Sequence, residues 1–435
     1  MPTGHRHSLF FNFLSLGFIQ VANFLLSLLV IPFLVSIVGP DGFGVIAVAQ
    51  VLMFYLAVTT DYGFNRTAIR DIALYKDNRK KISHVFFTVL ASKFLICLLA
   101  FALLCLLVAV IPLFRQHSML YLLAFSFVVG QVMLVNWFFQ GMEKMQYMAL
   151  LSLLSRLIFV ALVFIFIRTK DDAALYVFFM GAGNIIAGLI GIFSVVRMYK
   201  LQYVRPTVSD VRHELKEGWQ ITVTNLSSTT MQYIGIFILR IFTNDTVVGY
   251  YGIAERIYFA MKLMIDIFFQ GAYPRVCRLI LEGTPVVKDF FRKMYVPFFV
   301  AVLSACAIIF MLSPAIIRFF MGHYYAPSAF LLRVFCIAIL IVCLNIPPCL
   351  VLLAGNHKKN YLRIFMIGTI INIAANFALA PWLKATGTVL SAIITESIIT
   401  IGLYVEVFRI YRANRRVSKP AFGVSAVQED RYENK

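Results

Sequence analysis

The amino-acid sequence predicts an all-α polytopic membrane protein, with twelve transmembrane helices in two pseudo-symmetric six-helix lobes around a central cavity. Three observations predict this fold class: the composition, the number of apolar spans and an internal repeat. Of the 435 residues, 61% are hydrophobic and only 14% are charged, and the mean hydropathy is +0.86. A soluble core of this length does not need so much apolar sequence, so the chain is expected to cross a bilayer many times.

Twelve apolar segments are each long enough to cross a bilayer as a helix. They are predicted at residues 9–38, 44–64, 84–110, 119–140, 148–167, 174–196, 218–241, 249–272, 294–313, 327–353, 362–380 and 388–408. The first segment follows Arg6 and lacks a small-residue cleavage site, so we expect a retained anchor rather than a signal peptide. It contains Pro32, which is either a gate hinge or a static kink.

The distribution of Lys and Arg predicts the orientation of the chain. Of these 39 residues, 28 lie in the loops and tails on one side, five lie in the opposite loops and six lie within spans. Because basic loops stay on the cytoplasmic side, both termini are predicted to be cytoplasmic. The net charge of +19 therefore reflects membrane topology, and no nucleic-acid partner is expected.

The two halves of the chain resemble each other. Gly44–Gln50 aligns with Gly249–Glu255 at an offset of 205, and Gly141–Tyr147 aligns with Gly355–Tyr361 at an offset of 214. With six spans in each half, such repeats are related by an axis along the membrane normal, and substrate binds between them near mid-depth. The predicted domains are an N-terminal lobe, a cytoplasmic linker, a C-terminal lobe and a disordered cytoplasmic tail: 1–200, 201–217, 218–410 and 411–435.

The eighth span carries charges that cannot face lipid. Glu255, Arg256, Lys262 and Asp266 all lie within this apolar segment. A charge near the bilayer centre costs about 2.5–3.5 kcal/mol on insertion scales, so such residues face a bundle interior or a wet cavity. Two interpretations stay open, namely a salt-bridge ladder within the helix and the wall of a transport path.

Other intramembrane charges extend this candidate site. The cations predicted to line a substrate-binding cavity are Arg156, Lys262, Arg256 and Arg333. The carboxylates that are candidates for ion coupling are Glu255, Asp266 and Glu396. A standing ion pair with a neighbouring cation is the alternative for each carboxylate, because it would hold the group ionised.

Three further charged residues are assigned structural roles. Lys93 and Arg240 lie nearer the span ends, where long basic side chains commonly reach the interface. Asp61 lies at the cytoplasmic end of the second span and is expected to fix a helix end by pairing with Arg66 or Arg70.

Three segments carry a resemblance to a known family. They are PFLVSIVGPDGFG at 32–44, DYGFN at 61–65 followed by Arg70, and WFFQGMEKM at 137–145. These segments resemble bacterial polysaccharide-biosynthesis flippases, the O-antigen unit translocases called Wzx, of the multidrug/oligosaccharidyl-lipid/polysaccharide exporter superfamily. The resemblance implies a V-shaped pair of lobes that moves an undecaprenyl-pyrophosphate-linked oligosaccharide from the cytoplasmic to the periplasmic leaflet of the bacterial inner membrane.

The same resemblance implies the partners and the energy source. The expected partners are the lipid-linked glycan, membrane lipid, and the polysaccharide polymerase and chain-length regulator of the same pathway. No cofactor or metal is expected, and a proton or sodium gradient is left open as the energy source. A cationic cavity suits a pyrophosphate, which Arg binds in a bidentate fork and Lys as a point charge.

Three other functional classes are less consistent with the sequence. A cation-coupled multidrug exporter of the same superfamily would need an acidic cavity. A membrane-embedded polymerase or ligase would need a large outer loop, and no nucleophile elbow, phosphate-binding loop or metal-ligand cluster indicates an enzyme. A purely structural protein would not retain six cations at membrane depth.

Overall fold

The computed structural model describes residues 4–322 and 325–416, with side chains described at all of these positions except 4–24, 27, 281, 284 and 413–416. Throughout the described residues the chain is helical, with short turns and no strand. This confirms the all-α prediction. The predicted disordered tail lies almost entirely outside the described residues.

The chain packs as two compact units. The first comprises Met1–Arg240 and Asn244–Gly249. Its helices are α1 (Gly4–Asp61), α2 (Phe64–Leu74), α3 (Arg79–Val110), α4 (Pro112–Arg115), α5 (Ser118–Ala124), α6 (Ser126–Met133), α7 (Asn136–Gly141), α8 (Met145–Phe166), α9 (Ala173–Met198) and nearly all of α10 (Val208–Phe242).

The second unit comprises Ile241–Thr243 and Tyr250–Lys435. Its helices are most of α11 (Asp245–Glu282), then α12 (Thr284–Phe290), α13 (Val296–Met321), α14 (Ala326–Leu344), α15 (Ile346–Ala354) and α16 (Lys358–Arg416). A π-helical turn at Phe291–Tyr295 joins α12 to α13.

Each of the twelve predicted spans lies in helical structure. Eight stretches of the described chain are long and apolar enough to cross a membrane by length and composition, which makes this a multi-pass membrane protein. The predicted spans at 218–241 and 249–272 fall outside those stretches because α10 and α11 carry more polar and charged residues. Such helices avoid lipid, so the most polar part of the membrane region is expected along these two.

Two continuous helical stretches contain a break that separates consecutive spans. In α1 the non-helical residue is Gly39, with φ +71° and ψ 177°, a conformation that is essentially restricted to glycine. In α16 the break is at Lys384. Pro32 lies in the helical part of α1 before Gly39, and its role as a gate hinge stays a prediction.

The internal repeat appears in the first unit as a reciprocal backbone contact. A Cβ added to Gly44 would lie 1.9 Å from the Asp245 carbonyl oxygen, and one added to Gly249 would lie 2.0 Å from the Pro40 carbonyl oxygen. Both pairs of positions follow the 205-residue offset found in the sequence. The two glycines therefore allow equivalent segments to pack backbone against backbone.

An aromatic core holds α2, α3 and α7 together in the first unit. Phe64, Phe86, Trp137, Phe138 and Phe139 are almost completely buried, and the Phe86 ring lies 5.8 Å from the Trp137 ring between centroids. Trp137 to Phe139 come from the third resemblance segment. That part of the motif therefore packs the core of the unit.

The unit boundary differs from the predicted linker at 201–217, because α10 is anchored on the first unit by its N-terminal half. The Arg70 guanidinium lies 2.8 Å from the Glu217 carboxylate, and the His84 ring lies 3.3 Å from Asp210. Close packing adds to these pairs, since a Cβ on Gly218 would lie 2.2 Å from the Tyr62 carbonyl oxygen. Only the residues before Val208 remain non-helical in the predicted linker.

We expect Thr207→Val to loosen the first turn of α10. The Thr207 hydroxyl accepts from the Asp210 N–H at 3.2 Å and the Thr207 N–H donates to the Asp210 carboxylate at 2.9 Å, which forms a capping box. The hydroxyl also donates to that carboxylate at 2.7 Å. Loss of such a cap costs about 1 kcal/mol. Hydrogen exchange of the amides at 209–211 should become faster, while Thr224→Val, an exposed substitution later in α10, should leave them unchanged.

The cap formed by Thr207 and Asp210 should make the stability of the first turn of α10 depend on pH. The hydrogen bond from the Thr207 hydroxyl is the main cause that lowers the pKa of Asp210. A carboxylate with a lowered pKa stabilises the folded state at neutral pH and loses that contribution as the pH falls through the lowered value. The protection factor of the amides at 209–211, which is the intrinsic exchange rate divided by the observed rate at the same pH, should therefore fall in acid in the wild type and depend less on pH in Thr207→Val.

Candidate functional site

A cavity of about 470 Å³ lies within the first unit. It is formed by α1, α2, α3, α6 and α10, and its lining combines aromatic, amide, hydroxyl and charged side chains. The lining residues are Phe54, Ala57, Val58, Asp61, Asn65, Lys93, Phe127, Gln131, Val132, Asn225, Ser228, Thr229 and Tyr233. A pocket of this size and mixed lining is typical of a small-molecule site.

The cavity contains a buried ion pair. The Lys93 side chain is only 2% exposed, and its Nζ lies 2.8 Å from Asp61 Oδ1. The same ammonium donates to Asn65 Oδ1 at 2.7 Å. Burying an ammonium is costly unless it is paired and hydrogen-bonded, and these two partners supply both requirements.

This geometry corrects two predictions made from the sequence. Lys93 does not reach the interface, because it turns inward to a carboxylate on the neighbouring helix. Asp61 pairs with Lys93 rather than with Arg66 or Arg70, and Arg70 binds Asp71 and Glu217 instead.

The signal for the ion pair was present in the DYGFN segment. Tyr62 and Gly63 both have positive φ, 44° and 74°, so they end α1 and start α2 within two residues. This tight junction brings the side chains of Asp61 and Asn65, the first and last residues of the segment, to the same Lys93 ammonium. The motif therefore holds one ammonium between a carboxylate and an amide.

The lining of the cavity combines an aromatic cluster with polar side chains. The Phe54 ring lies 5.5 Å from the Phe127 ring and 5.0 Å from the Tyr233 ring between centroids. Of the polar lining residues, Asn225, Ser228 and Thr229 come from α10. The cavity can therefore offer both aromatic contacts and hydrogen bonds to a ligand.

Three of the predicted site residues come together in the second unit. The Lys262 ammonium lies 3.6 Å from the Asp266 carboxylate on the same helix. Glu396, on α16, is attracted by Lys262 and repelled by Asp266. The structure therefore brings Lys262, Asp266 and Glu396 into one electrostatic cluster, and a role of Asp266 or Glu396 in ion coupling stays a prediction.

Glu396 is held by a polar network on the helices around it. The Asn345 amide donates to Glu396 Oε2 at 2.8 Å, and the Thr400 hydroxyl donates to Asn345 Oδ1 at 2.5 Å. Neither Asn345 nor Thr400 was singled out in the sequence, because an isolated amide or hydroxyl in an apolar span is common. Their function here is to orient a carboxylate at the junction between α14 and α15.

The other two predicted residues of the eighth span are neighbours on α11. Glu255 is 4% exposed, interacts electrostatically with Arg256 and accepts a hydrogen bond from the Tyr251 hydroxyl. These contacts fit an ionised Glu255 and a protonated one equally, so the salt-bridged interpretation and the ion-coupling role of Glu255 both stay predictions.

Arg333 and Arg156 lie on different helices from this cluster. Arg333 Nε donates to Ser313 Oγ at 2.8 Å, so it joins α14 to α13. The Arg156 guanidinium lies 5.7 Å from the Phe159 ring centroid, within α8 of the first unit. Substrate binding by either residue stays a prediction.

Arg240 does not simply extend towards the interface. Its Nε lies 2.5 Å from Asp245 Oδ1 and its Nη2 lies 3.0 Å from Asp245 Oδ2, so the contact is bidentate. The pair closes the short turn between α10 and α11. Arg240 is therefore a structural residue at the point where the two helices meet.

Comparison with known proteins places this arrangement in a family. The family model described as polysaccharide biosynthesis protein matches residues 9–280. A protein of Escherichia coli K12, named as a proposed O-antigen transporter, is 28% identical over an alignment of 396 positions that covers 89% of this chain and 94% of that protein. A Shigella dysenteriae protein with the same name is 24% identical over 90% of this chain and 98% of its own length.

Solved structures show the same fold. The inward closed conformation of the lipid II flippase MurJ aligns with a TM-score of 0.72 at 15% identity, covering 90% of this chain and 87% of that one. The inward-facing conformation of a multidrug resistance MATE family transporter of the MOP superfamily aligns with a TM-score of 0.67 at 15% identity, covering 92% and 97%. These alignments confirm the predicted fold class.

The family model spans more than half of the chain, and the resemblance segments at 32–44, 61–65 and 137–145 all fall inside it. The chain is thus a member of the polysaccharide biosynthesis protein family, and it shares its fold with the MurJ and MATE structures.

Proposed function

We propose that this protein is a flippase for a lipid-linked oligosaccharide. It moves an undecaprenyl-pyrophosphate-linked repeat unit, such as that of an O-antigen, from the cytoplasmic to the periplasmic leaflet of the inner membrane. It does so by alternating access, with a proton or sodium gradient as the driving force. Both termini lie in the cytoplasm.

The observation that supports this proposal most strongly is the similarity to the E. coli protein over 94% of its length. The fold shared with a lipid II flippase agrees with a lipid-linked cargo. A cavity lined by amides, hydroxyls and a buried ammonium also fits a cargo whose headgroup is rich in hydroxyl groups.

The cations and the carboxylates are proposed to have different roles in transport. Arg156, Arg256, Arg333 and Lys262 are proposed to bind the pyrophosphate, which carries negative charge and many acceptor oxygens. Asp266 and Glu396 face Lys262, so protonation of one carboxylate would change how strongly that ammonium is held. Substrate and ion would thereby compete for the same cation, which is a direct way to couple their movements.

The proposal is tested in the organism that encodes the chain. Deletion should abolish surface glycan and cause lipid-linked repeat units to accumulate in the inner membrane, and a plasmid copy should reverse both effects. Loss of surface glycan without that accumulation would place the protein at another step. Unchanged surface glycan together with increased sensitivity to organic cations would favour the multidrug exporter instead.

Arg156→Ala and Lys262→Ala are each expected to abolish export while the protein still reaches the membrane. The reason is that each removes a cation proposed to hold the pyrophosphate. Arg115→Ala, which removes an exposed cation at the end of α4, is the matched control and should export normally. Normal surface glycan in both test variants would contradict the cationic-site proposal.

A further inference from the structure

We propose that the cavity in the first unit is a binding subsite for an uncharged sugar ring of the cargo, separate from the site for its pyrophosphate. This inference rests on the proposed function and adds to it a location and a ligand chemistry. Four features of the cavity support it: its charge balance, its unused hydrogen-bonding groups, its aromatic side chains and its size.

The charge balance disfavours a pyrophosphate here. Lys93 and Asp61 are the only charged side chains among the lining residues, and they are paired at 2.8 Å. Their charges cancel, so the cavity offers no net positive charge to a dianion. A pyrophosphate would also bring negative charge next to Asp61, whereas a sugar hydroxyl brings none.

The ion pair leaves one N–H donor of Lys93 and one carboxylate oxygen of Asp61 for a ligand. Lys93 has three N–H donors and uses two of them, for Asp61 and Asn65. Asp61 uses Oδ1 for Lys93, and its other oxygen has no hydrogen bond within the part of the chain that the structure describes. A pair of neighbouring sugar hydroxyls would fill both positions, because each hydroxyl can donate and accept.

The aromatic side chains of the cavity match the apolar face of a sugar ring. A pyranose has a face of C–H groups that packs on flat aromatic side chains, while its edge carries hydroxyls. Phe54, Phe127 and Tyr233 supply aromatic surface for this face, with the Phe54 and Tyr233 rings inclined at 35°, and Asn225 and Ser228 on α10 supply partners for the edge. This combination of apolar surface with a few placed polar groups is how small-molecule sites achieve specificity.

The size of the cavity suits part of an oligosaccharide. Its 470 Å³ falls within the range of about 300–1,000 Å³ that is usual for small-ligand pockets. The cavity would therefore hold a portion of the glycan and leave the rest of the lipid-linked molecule outside. This arrangement would let the protein select its cargo by sugar identity, independently of how it holds the pyrophosphate.

The test uses the full-length protein in lipid nanodiscs and two probes. The first probe is the free oligosaccharide released by mild acid from the lipid-linked glycan of cells that lack this protein. The second is undecaprenyl pyrophosphate without sugar. Isothermal titration calorimetry compares Tyr233→Leu, which removes one of the three aromatic rings, and Ser228→Ala with wild type. Ser227→Ala is the matched control, because Ser227 bonds to its own helix as Ser228 does but does not line the cavity.

We expect the free oligosaccharide to bind wild type and Ser227→Ala equally and to bind Tyr233→Leu at least about tenfold more weakly. Ser228→Ala should give a smaller loss, Tyr233→Phe should retain binding, and undecaprenyl pyrophosphate should bind all variants alike. Equal oligosaccharide affinity in Tyr233→Leu and wild type would overturn the inference, and so would no binding by wild type. Leaflet transfer by the wild-type protein tests the proposed function separately, so the two failures are distinguishable.

Discussion

Asp61→Ala is expected to destabilise the protein strongly and to abolish transport. The substitution leaves the Lys93 ammonium, only 2% exposed, without its counter-charge. Breaking a fully buried ion pair by removing one partner costs about 3–5 kcal/mol. Because the Asp61 side chain is 25% exposed, we expect a cost at the lower end of this range, which is still a large share of the stability of a typical protein. The measurement is the thermal unfolding midpoint of the detergent-purified protein, followed by fluorescence-detected size exclusion.

Two variants make this prediction specific. Asp61→Ala combined with Lys93→Met removes both charges, so the double variant should recover most of the lost stability while transport stays impaired. Arg70→Ala is the comparison for an exposed pair, since Arg70 is 57% exposed and such pairs contribute about 0–1 kcal/mol. An Asp61→Ala protein as stable as Arg70→Ala would show that the buried pair is not needed to hold α1, α2 and α3 together.

Gly249→Ala and Gly44→Ala are each expected to disrupt the reciprocal contact between residues 40–44 and 245–249. The added Cβ would lie 2.0 Å from the Pro40 carbonyl oxygen in the first case and 1.9 Å from that of Asp245 in the second. Neither neighbour is a flexible side-chain end, so the backbone must move, and overpacking of this kind costs about 1–3 kcal/mol. A cost of that size changes a conformational equilibrium by about 5- to 150-fold.

The reporter for this effect is the substitution Asp41→Cys. In the wild type, Asp41 accepts a hydrogen bond from the Thr246 hydroxyl across the contact. Maleimide labelling of that cysteine should be faster in Gly249→Ala than in the glycine parent, and transport should fall. Gly271→Ala is the matched control, because Gly271 lies in the same helix and has open space around its Cα. Equal labelling rates in the Gly249→Ala and Gly271→Ala proteins would show that close approach at Gly249 does not hold this contact.

The helices and the repeat could be predicted from the sequence because both depend on local information. Apolar length defines a span, and the match between Gly44 and Gly249 is visible as a fixed offset. What the sequence did not reveal was that the two matched segments touch. A repeat relates positions in two halves of a chain, and it carries no information on which of them meet.

The charged residues show which pairings can be predicted from local spacing and which cannot. Lys262 and Asp266 are one helical turn apart, so their pairing could be inferred from spacing. Lys93 and Asp61 lie on different helices, and which face of α3 turns towards the DYGFN junction is decided by tertiary packing. Distance from a span end was therefore a poor guide to whether Lys93 is buried.

The sequence did not reveal the cavity of the first unit, because tertiary packing brings its lining residues together. The predicted cations drew attention to Arg156 and Lys262, whereas the cavity of the first unit is lined by amides, hydroxyls and aromatic rings together with one neutralised ion pair. Residues such as Asn225 and Ser228 have no distinctive spacing in α10. They become recognisable as a site only when α1, α3 and α6 are placed around them.

The most direct test of the central claim is leaflet transfer in proteoliposomes. A fluorescent undecaprenyl-pyrophosphate oligosaccharide is incorporated, and its movement between leaflets is followed with and without an imposed proton gradient. Wild-type protein should transfer it faster than protein-free liposomes do, the gradient should increase the rate, and Lys262→Ala should lose the activity. No transfer above protein-free liposomes, in a preparation shown to be folded, would contradict the assignment of this protein as a lipid-linked oligosaccharide flippase.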